Sequence, residues 1–170
     1  QRQPHSGAHL LYQILHFTFL DIHPHDIASL SVHQAQLGWE KQKPWRTLLA
    51  EVVSKGGFEL QNKESLARLV AFEEQMQRDL ASISVPAFAE RLLNRSGLLG
   101  YVLQQENKSW WVQVFRAFID FIRNEAARNP RLTLAQLLQT LDRMDGNRLP
   151  IALNQAAYAE AGIHLLTAHS

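Results

Sequence analysis

The sequence predicts an all-α fold, a bundle of about six to eight helices with one short strand at its C-terminal end. Three observations predict it. Apolar residues recur at helical spacing through most of the chain. Helix-opening residues (Pro24 with Asp26, Pro44, Asn62, Ser84 with Pro86, Thr133) precede those stretches, and glycines (Gly56-Gly57, Gly97, Gly146) follow several of them. The strand-like pieces, Leu149 to Leu153 and Ile163 to Thr167, both come late.

Each element has a local reason. Leu10, Leu11, Ile14, Leu15, Phe17 and Phe19 form a dense apolar run that predicts one buried helix. Pro24 in a first turn, with Asp26 at the positive helix end, predicts a second helix reaching about Leu37. Pro44 opens a third, Trp45 to Lys55, which Gly56-Gly57 ends. Asn62 is the expected cap of a long helix from Lys63 to about Ile83, with Leu66, Leu69, Val70, Met76, Leu80 and Ile83 near one face. Ser84 and Pro86 open a helix over Ala87 to Asn94, and a short one is expected from Leu98 to Gln104. Ser109 is the expected cap of a helix from Trp110 to Ala127, apolar over so much of its surface that it reads as a central bundle helix. Thr133-Leu-Ala-Gln136 fits a capping box, and Leu134, Leu137, Leu138, Leu141 and Met144 follow at helical spacing.

The 170 residues suit one domain, and a composition of 46% hydrophobic and 19% charged residues is ordinary for a globular chain. A net charge of +1 predicts no strong whole-molecule attraction to nucleic acid or to an anionic membrane. Without cysteine there is no disulfide and no thiolate metal site, which fits a cytoplasmic chain. No apolar run approaches the ~20 residues needed to span a bilayer, and Gln1 to Gly7 lacks the arrangement of a signal peptide. The chain opens on Gln1 rather than Met and closes on a strand-like segment, so it is expected to be an excised piece of a longer protein.

That closing segment, Ile163-His-Leu-Leu-Thr-Ala-His-Ser170, resembles the start of a motif in superfamily 1 DNA helicases of the UvrD/Rep type. The family pattern is a hydrophobic strand followed by Thr-x-His-x-x-Lys-Gly-Leu-Glu. Thr167 and His169 match its first two polar positions, and the Lys-Gly-Leu-Glu half would lie past Ser170. In this family a helical insertion, subdomain 2B, ends just before the motif. The stretch from Leu134 to Ser170, including Asn154 and Tyr158-Ala-Glu160-Ala-Gly162, looks like the run-up to it, while residues 1 to about 130 match only in helical character and length. An Arg-Gly-Ile-Gly stretch, associated in many relatives with duplex contact, does not occur. The corresponding region reads Pro24-His-Asp-Ile-Ala-Ser-Leu, so no duplex contacts are carried over.

The resemblance implies a division into residues 1–146, the helical insertion, and 147–170, the return segment leading into a RecA-like motor domain. It implies a parent enzyme that couples ATP hydrolysis, with Mg, to movement along DNA. The phosphate-cradling Gly-x-x-x-x-Gly-Lys-[Ser/Thr] loop does not occur in these residues, so the chain alone is expected to hold no cofactor and to catalyse nothing. Its implied partners are DNA, through the parent, and the remaining helicase domains, with no membrane. Thr167 and His169 would touch the DNA backbone, since a hydroxyl and an imidazole can each donate to a phosphate oxygen. The rival expectation is a freestanding helical protein–protein interaction domain.

Other candidate sites divide between function and ordinary surface. Lys41, Lys43, Trp45 and Arg46 form a basic cluster with an aromatic, able to hold phosphates and stack a base, or else to form a solvated loop with Trp45 on the core. Lys108-Ser-Trp110-Trp111 has the same look. Arg116, Arg123 and Arg128 could line a phosphate track or pair with Asp120 and Glu125. His16, His23, His25 and His33 lack the spacing that adjacent helical metal ligands need, so no metal site is expected. Nothing resembles the nucleophile elbow of a hydrolase.

Overall fold

The computed structural model describes residues 6–38 and 41–153. Among these the fold is all-α. Eight helices occur: α1 (Ser6–Ile14), α2 (Pro24–Gln36), α3 (Trp45–Lys55), α4 (Lys63–Leu80), α5 (Val85–Arg95), α6 (Leu98–Val102), α7 (Lys108–Arg128) and α8 (Leu134–Gly146). One 3-10 turn covers Thr18–Leu20. The expected strand at Ile163 to Thr167 lies outside the described residues. Leu149 to Leu153 carries no regular secondary structure.

The chain divides into two compact units, Gln1–Glu106 and Asn107–Ser170. The division falls inside the stretch read from sequence as one helical subdomain, 1–146. It lies within a polar run, Gln104-Gln-Glu-Asn-Lys108, that offers little apolar surface to a core.

In the first unit α3 lies against α1 and α4, α4 against α5, and α5 against α6. The core is built from Leu15, Ile22, Ile27, Leu30, Leu48, Leu49, Val52, Leu66 and Leu69, with Tyr12, Trp45 and Phe58 among the partly buried residues around it. Pro24 and Asp26 both sit in the first turn of α2, as expected. The ring of His23 takes the capping role, accepting from the backbone N–H of His25 at 3.2 Å. Gly56 (φ 70°) and Gly57 (φ 89°) end α3 in conformations that favour glycine.

The first helix is shorter than its apolar run predicts. It ends at Ile14, and Leu10 and Phe17 are exposed. Beyond it the backbone tightens into turns, His16 N–H to Gln13 C=O and Phe17 N–H to Ile14 C=O, while the His16 ring bonds the Tyr12 carbonyl at 2.9 Å. Only Leu15 of that segment reaches the core, at 1% exposure. The long helix α4 stops at Leu80 rather than Ile83, where the Ser82 amide tightens onto the Asp79 carbonyl in an i→i−3 turn.

Four polar side chains brace the loops and helices of this unit. Asp26, fully buried, accepts from the backbone amides of Gln61 (2.7 Å) and Asn62 (2.9 Å). Asn62 in turn caps α4 by accepting from Ser65 N–H at 3.1 Å, and its amide group donates to the Asp21 carbonyl at 3.0 Å. Gln34 accepts from Lys43 N–H at 3.2 Å and donates to the Lys43 carbonyl, pairing with that loop as a strand would. Asp79, buried on α4, takes Arg91 of α5 at 2.6 Å and Gln75 at 2.9 Å.

In the second unit α7 begins at Lys108, so Ser109 lies inside the helix rather than capping it; Asn107 occupies the cap position and makes no side-chain cap bond. The expectation of an enclosed central helix is corrected. Only Ala117, Ile119 and Ile122 of α7 are buried, while Trp110 and Val112 are exposed. A unit of this size has too little apolar area of its own to surround a helix that is apolar on most sides. The capping box of α8 is formed as read: Gln136 N–H to Thr133 Oγ1 at 3.2 Å and Thr133 N–H to Gln136 Oε1 at 2.9 Å.

Candidate functional site

The basic cluster read from sequence is largely neutralised by its own unit. Lys43 Nζ lies 2.5 Å from Glu51 Oε2. Lys43 holds the Glu51 carboxyl below its ordinary value, first through this hydrogen bond and then through its charge, with Lys55 adding to the effect. Arg46 pairs with Glu73 of α4. Trp45 is half-buried, its ring 5.1 Å from Tyr12 beside the core, so it fills space rather than offering an open face. Lys41 is exposed in the loop before α3. The arrangement favours the packing role weighed for this segment over a phosphate-gripping one. Thr167 and His169 lie outside the described residues.

The other candidates also have local partners. Arg116 and Arg123 flank Asp120 at 4.0 and 3.3 Å, and Arg128 reaches Glu125 at 3.0 Å. Trp110 and Trp111 stack edge to face, with centroids 4.7 Å apart, and Trp111 continues to Phe115. His33 meets Phe58 edge-on at 4.8 Å. No group of three or more His, Asp or Glu among the described residues could hold a metal ion.

A different site appears in the first unit: a cleft of about 260 Å³ between the 3-10 turn, α4 and the α5–α6 junction. Its apolar lining is Phe19, Leu20, Leu69 and Phe72, and its polar lining is Ser65, Arg68, Arg95, Ser96 and Gly97. The turn at Gly97 (φ 86°) needs a glycine and runs close to Phe19; a Cβ there would stand 3.7 Å from the Phe19 carbonyl oxygen. Ser65 is buried at 2% exposure and accepts from Arg68 Nη2 at 2.8 Å. Arg68 also has the exposed Glu64 carboxylate 3.9 Å away. Arg95 is exposed and, among the described residues, has no ion-pair or hydrogen-bond partner. Chemically, the cleft combines an apolar floor with two guanidinium groups, which suits a ligand that is flat or apolar on one side and anionic on the other.

Sequence reasoning missed this cleft. Its residues come from three separated stretches, 19–20, 65–72 and 95–97, and no one of them forms a motif. The available signal was weak: aromatic Phe17 and Phe19 in a run whose helix ends early, and an arginine just before a glycine turn.

No family model, curated protein or solved structure matches this chain.

Proposed function

We propose that the chain is a helical accessory module of a superfamily 1 ATP-dependent DNA helicase. One observation carries the reading: the run from Gly162 to His169, in which an apolar strand-like stretch leads into Thr167-Ala-His169 at the end of a helical body. The all-α character of the described residues supports it, since an insertion of that kind is helical. The module works without a nucleotide site of its own. It guides or regulates, while the motor domains of the parent hydrolyse ATP.

The mechanism asks two things of these residues. The helices must hold together as rigid pieces while the connections move. The buried carboxylate of Asp26 and the Gln34–Lys43 pairing supply that stiffness, because they tie loops to helices through backbone groups. Thr167 and His169 must return the chain to the motor domain and meet the DNA backbone there as hydrogen-bond donors.

The test is to read the parent reading frame past Ser170. Lys-Gly-Leu-Glu, or a close variant, beginning three residues beyond His169 is the expected result. A stop codon or an unrelated sequence overturns the assignment. The second reading, a helical protein–protein interaction domain, rests on the apolar residues exposed in the second unit, including Trp110, Leu138 and Leu149. Sedimentation of the chain alone tests it: self-association abolished by Leu138→Gln favours this reading.

A further inference from the structure

The aromatic surface beside the cleft of the first unit is not explained by packing. Phe17 is 48% exposed and Tyr101 39% exposed, and both rings neighbour Phe19. Phe17 and Phe19 are stacked, with centroids 5.5 Å apart and planes 29° apart. Phe19 and Tyr101 lie 6.2 Å apart. Phe19 itself lines the cleft, so the aromatic surface runs into the pocket that Arg68 and Arg95 border.

We propose that this surface is a binding site for single-stranded nucleic acid. One nucleotide enters the cleft, its base against Phe19 and its phosphate between Arg68 and Arg95. A neighbouring base stacks on Phe17, the more exposed of the two flanking rings. Every base has a flat π-face, so an exposed ring next to an occupied cleft suits a polymer that presents one flat group per unit. Arg95 is available for a phosphate because no described group competes for it. Arg68 is engaged by buried Ser65, which fixes its position, and by Glu64 in an exposed pair weak enough for a phosphate to displace. The inference deepens the proposed function, and rests on that reading only in preferring DNA to RNA.

The charge balance limits the strength. The first unit carries ten Lys and Arg against eleven Asp and Glu, so no long-range field assists binding. Two phosphate contacts on a single strand predict a slope of log K against log salt of about −1.4, a loss of roughly sevenfold for a fourfold rise in salt. Stacking supplies the rest.

The experiment is fluorescence anisotropy of the 170-residue chain with a short labelled oligothymidylate, at several salt concentrations. Matched oligouridylate and a phosphoserine peptide serve as alternative probes. Saturable binding with the shallow slope is expected. Arg95→Ala should bring the slope to about −0.7. Phe17→Ala should weaken binding about five- to a hundredfold and leave the slope unchanged. Both residues are exposed, so circular dichroism of each variant is expected to match the parent. Absence of binding overturns the proposal. So does tighter binding of the phosphoserine peptide, or an affinity indifferent to Phe17→Ala. Tighter oligouridylate binding retains the site and counts against its DNA assignment. The helicase reading fails separately, on the reading frame past Ser170.

Discussion

Replacing Asp26 with alanine should be among the most damaging single changes in the first unit outside its apolar core. The carboxylate is fully buried and accepts two backbone hydrogen bonds, from Gln61 at 2.7 Å and Asn62 at 2.9 Å. Hydrogen bonds to a charged acceptor contribute about 1.5–3 kcal/mol each, and a donor left unpaired keeps its desolvation cost. The loop at Gln61 is partly open to water, which recovers some of that loss. The expected destabilisation is therefore about 3 kcal/mol, below the sum of the two bonds. Asp26→Asn preserves the shape but turns one acceptor oxygen into a donor facing an N–H, so it should cost nearly as much. Urea unfolding followed by helical circular dichroism gives the midpoint, which should fall by about 1–2 M. Amide hydrogen exchange gives the local readout: protection at Gln61 and Asn62 should be lost first. Glu59→Ala, an exposed position in the same loop, is the control; its effect should stay within ~0.5 kcal/mol. An Asp26→Ala midpoint within experimental error of the parent, with both amides still protected, would refute the reasoning.

Leu66 is completely buried in the first unit, so Leu66→Ala should cost about 2–5 kcal/mol by lost transfer energy and cavity formation, measured by the same unfolding assay. Thr133→Ala removes the side-chain half of the α8 capping box and should cost about 1 kcal/mol, seen as earlier amide exchange in the first turn of α8. The Glu51 carboxyl should titrate below its ordinary value of 4.5 in an NMR titration, and Lys43→Ala should move it back up. Because the folded value is lowered, the pairing contributes stability above the unfolded value and loses it as pH falls through the folded one; the Lys43→Ala chain should therefore show a less pH-sensitive acid limb.

Features that depend on neighbouring residues alone were legible in the sequence. The span Trp45–Lys55 lies between Pro44 and Gly56-Gly57, and the structure places α3 on those residues. Asn62 and Thr133 cap the helices they precede, because a cap reaches an amide only two or three residues ahead. Where a local pattern was ambiguous, longer-range contacts decided. The run from Leu10 to Phe19 has enough apolar residues for one buried helix, yet only Leu15 is fully buried, Leu11 and Tyr12 pack partly covered against the core, and the chain turns after Ile14. Which apolar side chains are covered is a property of what arrives from elsewhere.

By itself, then, the sequence determined that the chain is helical, where most helices start and stop, and that its end carries the Thr167–His169 pattern. Tertiary structure alone decided that Asp26 is a buried clamp thirty-five residues from Gln61, that Glu51 and Glu73 neutralise the basic cluster, and that Phe19, Arg68 and Arg95 share a cleft. The reason is range. Helix propensity and capping act over one turn of chain, whereas burial and ion pairing act through space between residues whose separation no local pattern encodes.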